Sequence, residues 1–154
     1  MVERTAGGKA ARDGAVMGKD LEYAGLPSDS IPDGTYIVEC IDTNVRQRIG
    51  RLFLRFEVAE DGPYRGKVIF KSYNISTDGK VRPQSKYFHD WCRIHGSRPS
   101  KKGVKMSPRI FLNRLFKAKV VTKYLRDFET KEPIISDDTR YSFVEELLER
   151  YDKV

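Results

Sequence analysis

Alternation of apolar and other side chains in residues 51–60 constrains the fold of this chain more than any other feature. From position 52 to position 58 every second residue is large and apolar, in the order Leu52, Leu54, Phe56 and Val58. A period of two places successive side chains on opposite faces of a β-strand. The segment therefore predicts a strand with one face in a core and one face directed outward.

The same pattern predicts further strands at residues 35–43, 67–75 and 115–124, and a last one within residues 133–144. In residues 67–75 we expect one face to contain Val68, Phe70 and Ser72. The other face, expected to point outward, carries Lys67, Ile69, Lys71 and Tyr73.

Two helices are predicted as well. Residues 85–95 are typical of a short helix, with Ser85 as its N-cap, Gly96 at its end and Trp91 on the apolar stripe that enters the core. Residues 144–151 predict a helix near the C-terminal end. Three strands, a helix and two strands are the order of an OB-fold. The expected fold is therefore mainly β: a five-stranded OB-fold barrel with a helix between strands 3 and 4 and a C-terminal helix.

Positive charge is concentrated in one part of the chain. The net charge is +7, and residues 93–126 contain eleven Lys or Arg residues and no Asp or Glu. Such a surface attracts a polyanion, and the attraction weakens as salt screens it. Because nucleic acid is the commonest polyanion in a cell, the charge pattern favours nucleic-acid binding.

The composition indicates one domain between two shorter segments. Residues 1–30 hold few large apolar side chains and are expected to form a flexible N-terminal arm. Residues 31–144 are expected to form the OB-fold nucleic-acid-binding domain, and residues 145–154 a C-terminal helix or tail. No secretory segment or membrane-spanning run is evident in the sequence, so we expect no membrane partner and a cytoplasmic location.

Several short motifs, in this order, resemble a known group of proteins. They are Pro32-Asp33-Gly34-Thr35-Tyr36, Leu52-Phe53-Leu54-Arg55-Phe56-Glu57-Val58, Gly62-Pro63-Tyr64-Arg65-Gly66-Lys67, Trp91-Cys92-Arg93-Ile94-His95-Gly96 and Phe116-Lys117-Ala118-Lys119-Val120. Together they resemble the small OB-fold single-stranded-DNA-binding proteins of bacteriophages and mobile elements, over roughly residues 31–144.

The resemblance implies protection of single-stranded DNA during replication or recombination, without catalysis. It implies the host cytoplasm as the location if the gene is phage-borne, and replication or recombination proteins as further partners. Homo-oligomerisation stays open. The chain departs from the cellular bacterial single-strand binders at its end, where a mixed sequence finishing in Lys153 and Val154 replaces a strongly acidic tip.

A single-strand binder needs cations that follow the phosphates and aromatic rings on which bases stack. On the second and third strands the expected outward residues of these types are Arg51, Phe53, Arg55, Lys67, Lys71 and Tyr73. Further candidate phosphate contacts are Arg46 and Arg48 in the first loop, Lys101, Lys102 and Lys105 in a basic loop, and Lys117 and Lys119 on the fourth strand.

Each of these candidates has a structural alternative. Phe53 could be covered by the helix or by a partner subunit, and the arginines of the first loop could simply be solvated. Lysines such as Lys117 and Lys119 also protect exposed strand edges from pairing with other chains.

Other functions find less support in the sequence. His89, Cys92 and His95 recur at metal-ligand spacing, but structural zinc sites use four protein ligands, so we expect no metal. The carboxylates are scattered and no phosphate-binding glycine loop is present, so we expect no cofactor and no catalytic site. An RNA-binding OB module and a protein-interaction adaptor that docks a partner on Phe53 and Tyr73 remain alternatives.

Overall fold

Five strands, one α-helix and three short 3-10 turns make up the regular structure of residues 20–151. The structure is a computed structural model that describes residues 20–151, so the predicted arm lies outside the described residues as far as residue 19. In chain order the elements are β1 (Gly34–Arg46), β2 (Arg51–Val58), β3 (Val68–Asn74), α1 (Lys86–His95), β4 (Leu115–Tyr124) and β5 (Arg140–Arg150).

The strands close into a barrel in the order β1-β2-β3-β5-β4, with β4 returning to β1. Four of the five neighbouring pairs are antiparallel, and only β3 and β5 are parallel, through the pair Phe70 and Phe143. The prediction of a mainly β fold with a five-stranded barrel is thus confirmed, and so is a helix between the third and fourth strands.

β1 pairs with two neighbouring strands because it bends. Its first half, from Gly34 to Glu39, pairs with β4, and its second half pairs with β2. The register shifts between Cys40 and Asp42, which is the position of a bulge. A bulge increases local twist and bends the strand, which allows one strand to belong to both sides of a closed barrel.

The hydrophobic core lies inside the barrel and contains the inward residues that the sequence predicts for β2. Leu52, Leu54, Phe56 and Val58 are all buried. The inward residues of the other strands that join them include Val38, Cys40, Ile69, Phe116, Ala118, Val120, Val144 and Leu147.

α1 lies where the sequence predicts a helix. The Ser85 hydroxyl accepts a hydrogen bond from the Phe88 amide, and Gly96 ends the helix in a left-handed conformation. Trp91 is buried as expected, and its indole Nε1 donates to the Ser107 carbonyl at 3.0 Å.

The prediction of a C-terminal helix is wrong, because residues 140–150 form β5. Val144 and Leu147 are three positions apart, which is a helical spacing, yet both are buried. Register shifts along the β4–β5 pair explain this, since Val120 pairs with Val144 whereas Lys119 pairs with Glu146. Glu145 is the extra residue of this bulge. Because of it, Val144 and Leu147 both point into the barrel although they are three positions apart.

The predicted orientation of β3 is also wrong. Ile69, Lys71 and Tyr73 point into the barrel, whereas Val68, Phe70 and Ser72 face outward. The side chains of Lys71 and Tyr73 are each only 3% exposed. Neither residue is available on the outer surface as a nucleic-acid contact.

Polar groups of β5 and α1 surround the buried Lys71 and Tyr73. Lys71 Nζ donates to the Glu145 carbonyl at 2.9 Å, and Tyr73 Oη donates to Asp90 Oδ2 at 2.7 Å. Asp90 is itself buried and receives a second hydrogen bond from Arg93 at 2.9 Å. Burial lowers the pKa of Lys71 to about 8, against the opposing attraction of Asp90.

A segment before β1 completes the seam where β3 and β5 meet. The Asp29 amide donates to the Val68 carbonyl at 2.9 Å, and the Ser142 amide donates to the Asp29 carbonyl at 2.9 Å. The Ser142 hydroxyl accepts from the Ile31 amide at 2.8 Å, and Ser28 donates to the Ser142 carbonyl. Residues 28–31 therefore supply backbone partners that the single β3–β5 pair leaves unmatched.

No helix within residues 20–151 is long and apolar enough to cross a lipid bilayer.

Candidate nucleic-acid interface

The outward face of β2 is the surface that the sequence predicts. Phe53 is partly exposed between Arg51 and Arg55, and all three alternate with the buried core residues. The Arg51 guanidinium lies 5.6 Å from the centre of the Phe53 ring and donates to the Ser72 hydroxyl at 2.8 Å. These contacts hold Arg51 beside the ring.

Phe53 is one of four aromatic residues that cluster on the outside of the barrel. Phe70 of β3 lies at the centre, with its ring 6.3 Å from Phe53, 5.9 Å from Tyr141 and 5.2 Å from Phe143, measured between ring centres. Each of the four side chains is partly exposed. We call this cluster the aromatic platform: Phe53, Phe70, Tyr141 and Phe143.

The strand order brings these rings together. β3 lies between β2 and β5 in the barrel, and Phe70 is opposite Phe143 in the parallel pair. Phe53 is opposite Ser72, two positions from Phe70 on the same outer face. Side chains that alternate on neighbouring strands form one continuous surface, so residues far apart in sequence become adjacent.

Cations border the aromatic platform. Arg55 is exposed and lies opposite Phe70 in the β2–β3 pair. Lys123 of β4 places its ammonium 3.9 Å from the centre of the Phe143 ring. Within residues 20–151, none of Arg51, Arg55 and Lys123 forms an ion pair with a carboxylate.

The first loop contributes further positive charge at one end of this surface. Arg46 ends β1, Arg48 lies in the short 3-10 turn that follows, and both side chains are exposed. Gly50 closes this loop at a φ of 68°, and a Cβ there would lie 2.9 Å from the Ile75 carbonyl oxygen. Only glycine allows the loop to approach the end of β3 so closely.

The remaining predicted contacts fall in different places. Lys67 is exposed just before β3. Lys101, Lys102 and Lys105 are exposed in the loop that follows α1. They therefore do not belong to the outer face that β2 and β3 form. This loop forms one wall of a groove that is described below.

Lys117 and Lys119 point outward from β4 as expected, but carboxylates of β5 compensate their charges. Lys117 Nζ lies 3.1 Å from Glu149 Oε1, and Lys119 Nζ lies 3.0 Å from Glu145 Oε1. The hydrogen bond that Lys119 donates to Glu145 raises the pKa of Lys119. These two lysines are therefore weaker candidates for phosphate contact than the unpaired cations.

Sequence reasoning missed most of the aromatic platform. The alternation predicts Phe70 on the inner face. It assigns no face to Tyr141 and Phe143, which lie near the end of the strand expected within residues 133–144. One signal was available: Tyr141 and Phe143 are two residues apart, which is the spacing of one strand face. Phe128 was also missed; it is 86% exposed in the β4–β5 loop, with Lys131 Nζ 4.8 Å from its ring centre.

The residues with metal-ligand spacing do not form a metal site in the part of the chain that is described. Residues 20–151 contain no group of three His, Cys, Asp or Glu side chains that could hold a metal ion. His95 instead stacks on Trp91, with ring centres 4.4 Å apart. Cys40 is buried, and burial raises the pKa of its thiol to about 12, so it stays protonated and unreactive at neutral pH.

The chain matches no protein-family model, no curated protein and no solved structure. Its candidate function therefore rests on its own residues and geometry.

Proposed function

We propose that the barrel is an OB-fold that binds single-stranded DNA on the aromatic platform, without regard to sequence. The strand order β1-β2-β3-β5-β4, the parallel β3–β5 contact and the helix after β3 support the assignment to this fold. OB-folds bind oligonucleotides on the face of their second and third strands and on the adjoining loops. Phe53 and Phe70 occupy that face here.

The observation that carries the proposal is the aromatic platform with its cationic border. Four partly exposed rings, three of them packed around Phe70, are an unusual feature of a surface that faces water. Nucleobases stack on such rings, at about 1–3 kcal/mol per base, and every base has a face that can stack. In this proposal the unpaired guanidinium of Arg55 and the ammonium of Lys123 contact the phosphates on either side.

The rings and cations of the aromatic platform are suited to binding and not to catalysis. Stacking and phosphate attraction hold a strand in place and shield it from other proteins, and they require no cofactor. Protection of single strands during replication or recombination is the role that we propose on this basis, with single-stranded DNA as the partner.

Binding of a labelled thirty-residue oligo-dT, measured by fluorescence anisotropy at two salt concentrations, tests the proposal. We expect binding that weakens at the higher salt and that a hairpin duplex does not displace. Replacing both Phe53→Ala and Phe70→Ala should weaken binding about 100-fold, since two stacked bases lose their partners. A thirty-residue oligo-U in the same assay measures the preference for DNA over RNA.

Tyr151→Ala is the matched control, because Tyr151 is an exposed aromatic residue at the end of β5, outside the platform. We expect its affinity to equal that of the unchanged protein. Equal losses in the control and in the double variant, or preferential binding of the duplex, would show that the platform is not a single-strand site.

A further inference from the structure

A groove runs beside α1, on a surface distinct from the aromatic platform. Its volume is about 960 Å³, and it is bounded by residues 79–83, by Phe88 of the helix and by residues of the loop at 98–107. This volume is at the upper end of the range for small-ligand pockets. The groove is partly open to solvent, so a chain-like ligand can enter it from the surface.

The groove carries only positive charge. Six of its lining residues are cations and none is a carboxylate: Lys80, Arg82, Arg98, Lys101, Lys102 and Lys105. Arg82 is paired with Asp78 at 2.8 Å outside the groove. Within residues 20–151 the four lysines form no ion pair, so their charges are free to attract an anion.

The floor between these cations is apolar. Val81, Phe88 and Met106 line it, and the Arg98 guanidinium lies 5.6 Å from the centre of the Phe88 ring. Phe88 is only 8% exposed, so the exposed Arg98 plane beside its ring is the surface on which a nucleobase can stack. An apolar floor between cationic rims therefore matches a ligand that alternates flat bases with phosphates.

Hydrogen bonds from the helix hold the basic wall in place. Tyr87 Oη donates to the Met106 carbonyl at 2.7 Å, and Trp91 Nε1 donates to the Ser107 carbonyl at 3.0 Å. Both donors are buried aromatic residues of α1. The loop that carries the three lysines is thus anchored at its end, and the groove is part of the fold.

A smaller cleft joins this groove to the platform side of the barrel. The cleft has a volume of about 250 Å³, begins at Asn74 and Ile75 at the end of β3, and shares Lys80, Val81 and Arg82 with the groove. Asn74 pairs with Arg51, the cation beside Phe53. The first loop touches the same segment, since Gln47 Nε2 donates to the Thr77 carbonyl at 3.1 Å.

We infer that the groove is a second segment of the single-strand site, so that one strand continues from the aromatic platform past Arg51 and the first loop into the groove beside α1. The inference rests on the proposed function. It makes the protein a binder of long strands: an oligonucleotide of about eight residues engages the platform alone, whereas a strand of thirty residues also occupies the groove.

The test compares eight-residue and thirty-residue oligo-dT on two double variants that remove the same charge. Lys101→Ala with Lys102→Ala removes free cations of the groove, and Lys117→Ala with Lys119→Ala removes cations that are paired with carboxylates. The groove variant should bind the thirty-mer about 10-fold more weakly at low salt and the eight-mer unchanged. Its slope of log K against log[salt] for the thirty-mer should fall in magnitude by about 1.4, which corresponds to two phosphate contacts on a single strand.

The outcomes separate this inference from the proposed function. If the unchanged protein binds neither oligonucleotide, the proposed function fails. A second outcome is that the unchanged protein binds both oligonucleotides while the groove variant behaves like the Lys117 and Lys119 variant. In that case the aromatic platform binds single strands, and the inference that the strand continues into the groove is wrong. A groove variant that keeps its thirty-mer affinity but loses binding of a synthetic decapeptide of alternating Asp and Leu would assign the groove to an acidic protein partner, which also overturns the inference.

Discussion

The two faces of β3 reverse the usual distribution of polar and apolar side chains. The inner face carries Lys71 and Tyr73, both buried, whereas Phe70 lies on the outer face in contact with water. The inner polar groups are tolerated because α1 brings Asp90 and β5 brings carbonyl groups to meet them. The outer ring has no such structural requirement, and this contrast is the reason to assign function to the outer face and stability to the inner one.

The difference between the two faces of β3 can be tested by replacing Asp90, the centre of the inner network, and Phe70, the centre of the outer cluster. The inner network depends on buried charge, so its loss should unfold the protein more readily. The outer cluster depends on exposed rings, so its loss should chiefly affect ligand binding.

Asp90→Ala should have the largest effect on stability. Asp90 is 1% exposed and accepts hydrogen bonds from Tyr73 and Arg93. Its removal leaves the buried Tyr73 hydroxyl without its acceptor, Arg93 without its carboxylate and the Lys71 ammonium without the attraction of that charge. Removing one member of such a charge network costs about 3–5 kcal/mol. Urea denaturation measures the change. Asp78→Ala is the control, because that carboxylate is exposed in a surface pair with Arg82 and its removal should cost much less than the removal of Asp90. Similar losses in both variants would contradict the prediction.

Lys71→Met should change how stability depends on pH. The folded-state pKa of Lys71 is about 8, below the ordinary value of about 10.4, so between these values the unfolded chain binds more protons than the folded one. Raising the pH through this window therefore favours folding. We expect Lys71 to contribute an increase of about 1.6 kcal/mol in the free energy of unfolding between pH 8 and pH 9.5, and almost no change below pH 7.

The comparison for this prediction is the difference between the unchanged protein and the Lys71→Met variant in urea at each pH. Measurements stop at pH 9.5, because burial raises the pKa of Tyr73 and Tyr87, and these groups lower stability once unfolded tyrosines ionise near pH 10. A difference that is constant from pH 7 to pH 9.5 would mean that Lys71 titrates normally.

Ser142→Ala should produce a smaller loss at the seam between β3 and β5. The Ser142 hydroxyl accepts from the Ile31 amide at 2.8 Å and lies on the buried side between Tyr141 and Phe143. Its loss leaves one buried amide without a partner, at a cost of about 1–3 kcal/mol. Hydrogen exchange should become faster at Ile31, while Ser72→Ala, an outward serine on β3, should leave exchange at Ile31 unchanged. Unchanged exchange in the Ser142 variant would mean that residues 28–31 do not depend on this hydroxyl.

Local pattern was enough to predict much of this fold. Strict alternation identified β2, because only a sheet brings every second side chain into a core. Ser85 and Gly96 identified both ends of α1, because a hydroxyl N-cap and a left-handed C-terminal glycine act within a few residues of the chain. On the candidate site, alternation also placed Arg51, Phe53 and Arg55 on the outer surface.

Tertiary contacts decided what local pattern left ambiguous. Both faces of β3 contain apolar residues, and the inward position of Lys71 depends on the Glu145 carbonyl, which is distant in sequence. β5 has a helical spacing at Val144 and Leu147 that becomes a strand only through its bulged pairing with β4. The sequence by itself determined that this chain forms strands and carries a surplus of cations; only the closed barrel decided which rings meet outside and which lysines are neutralised, because both depend on neighbours brought together by strand order.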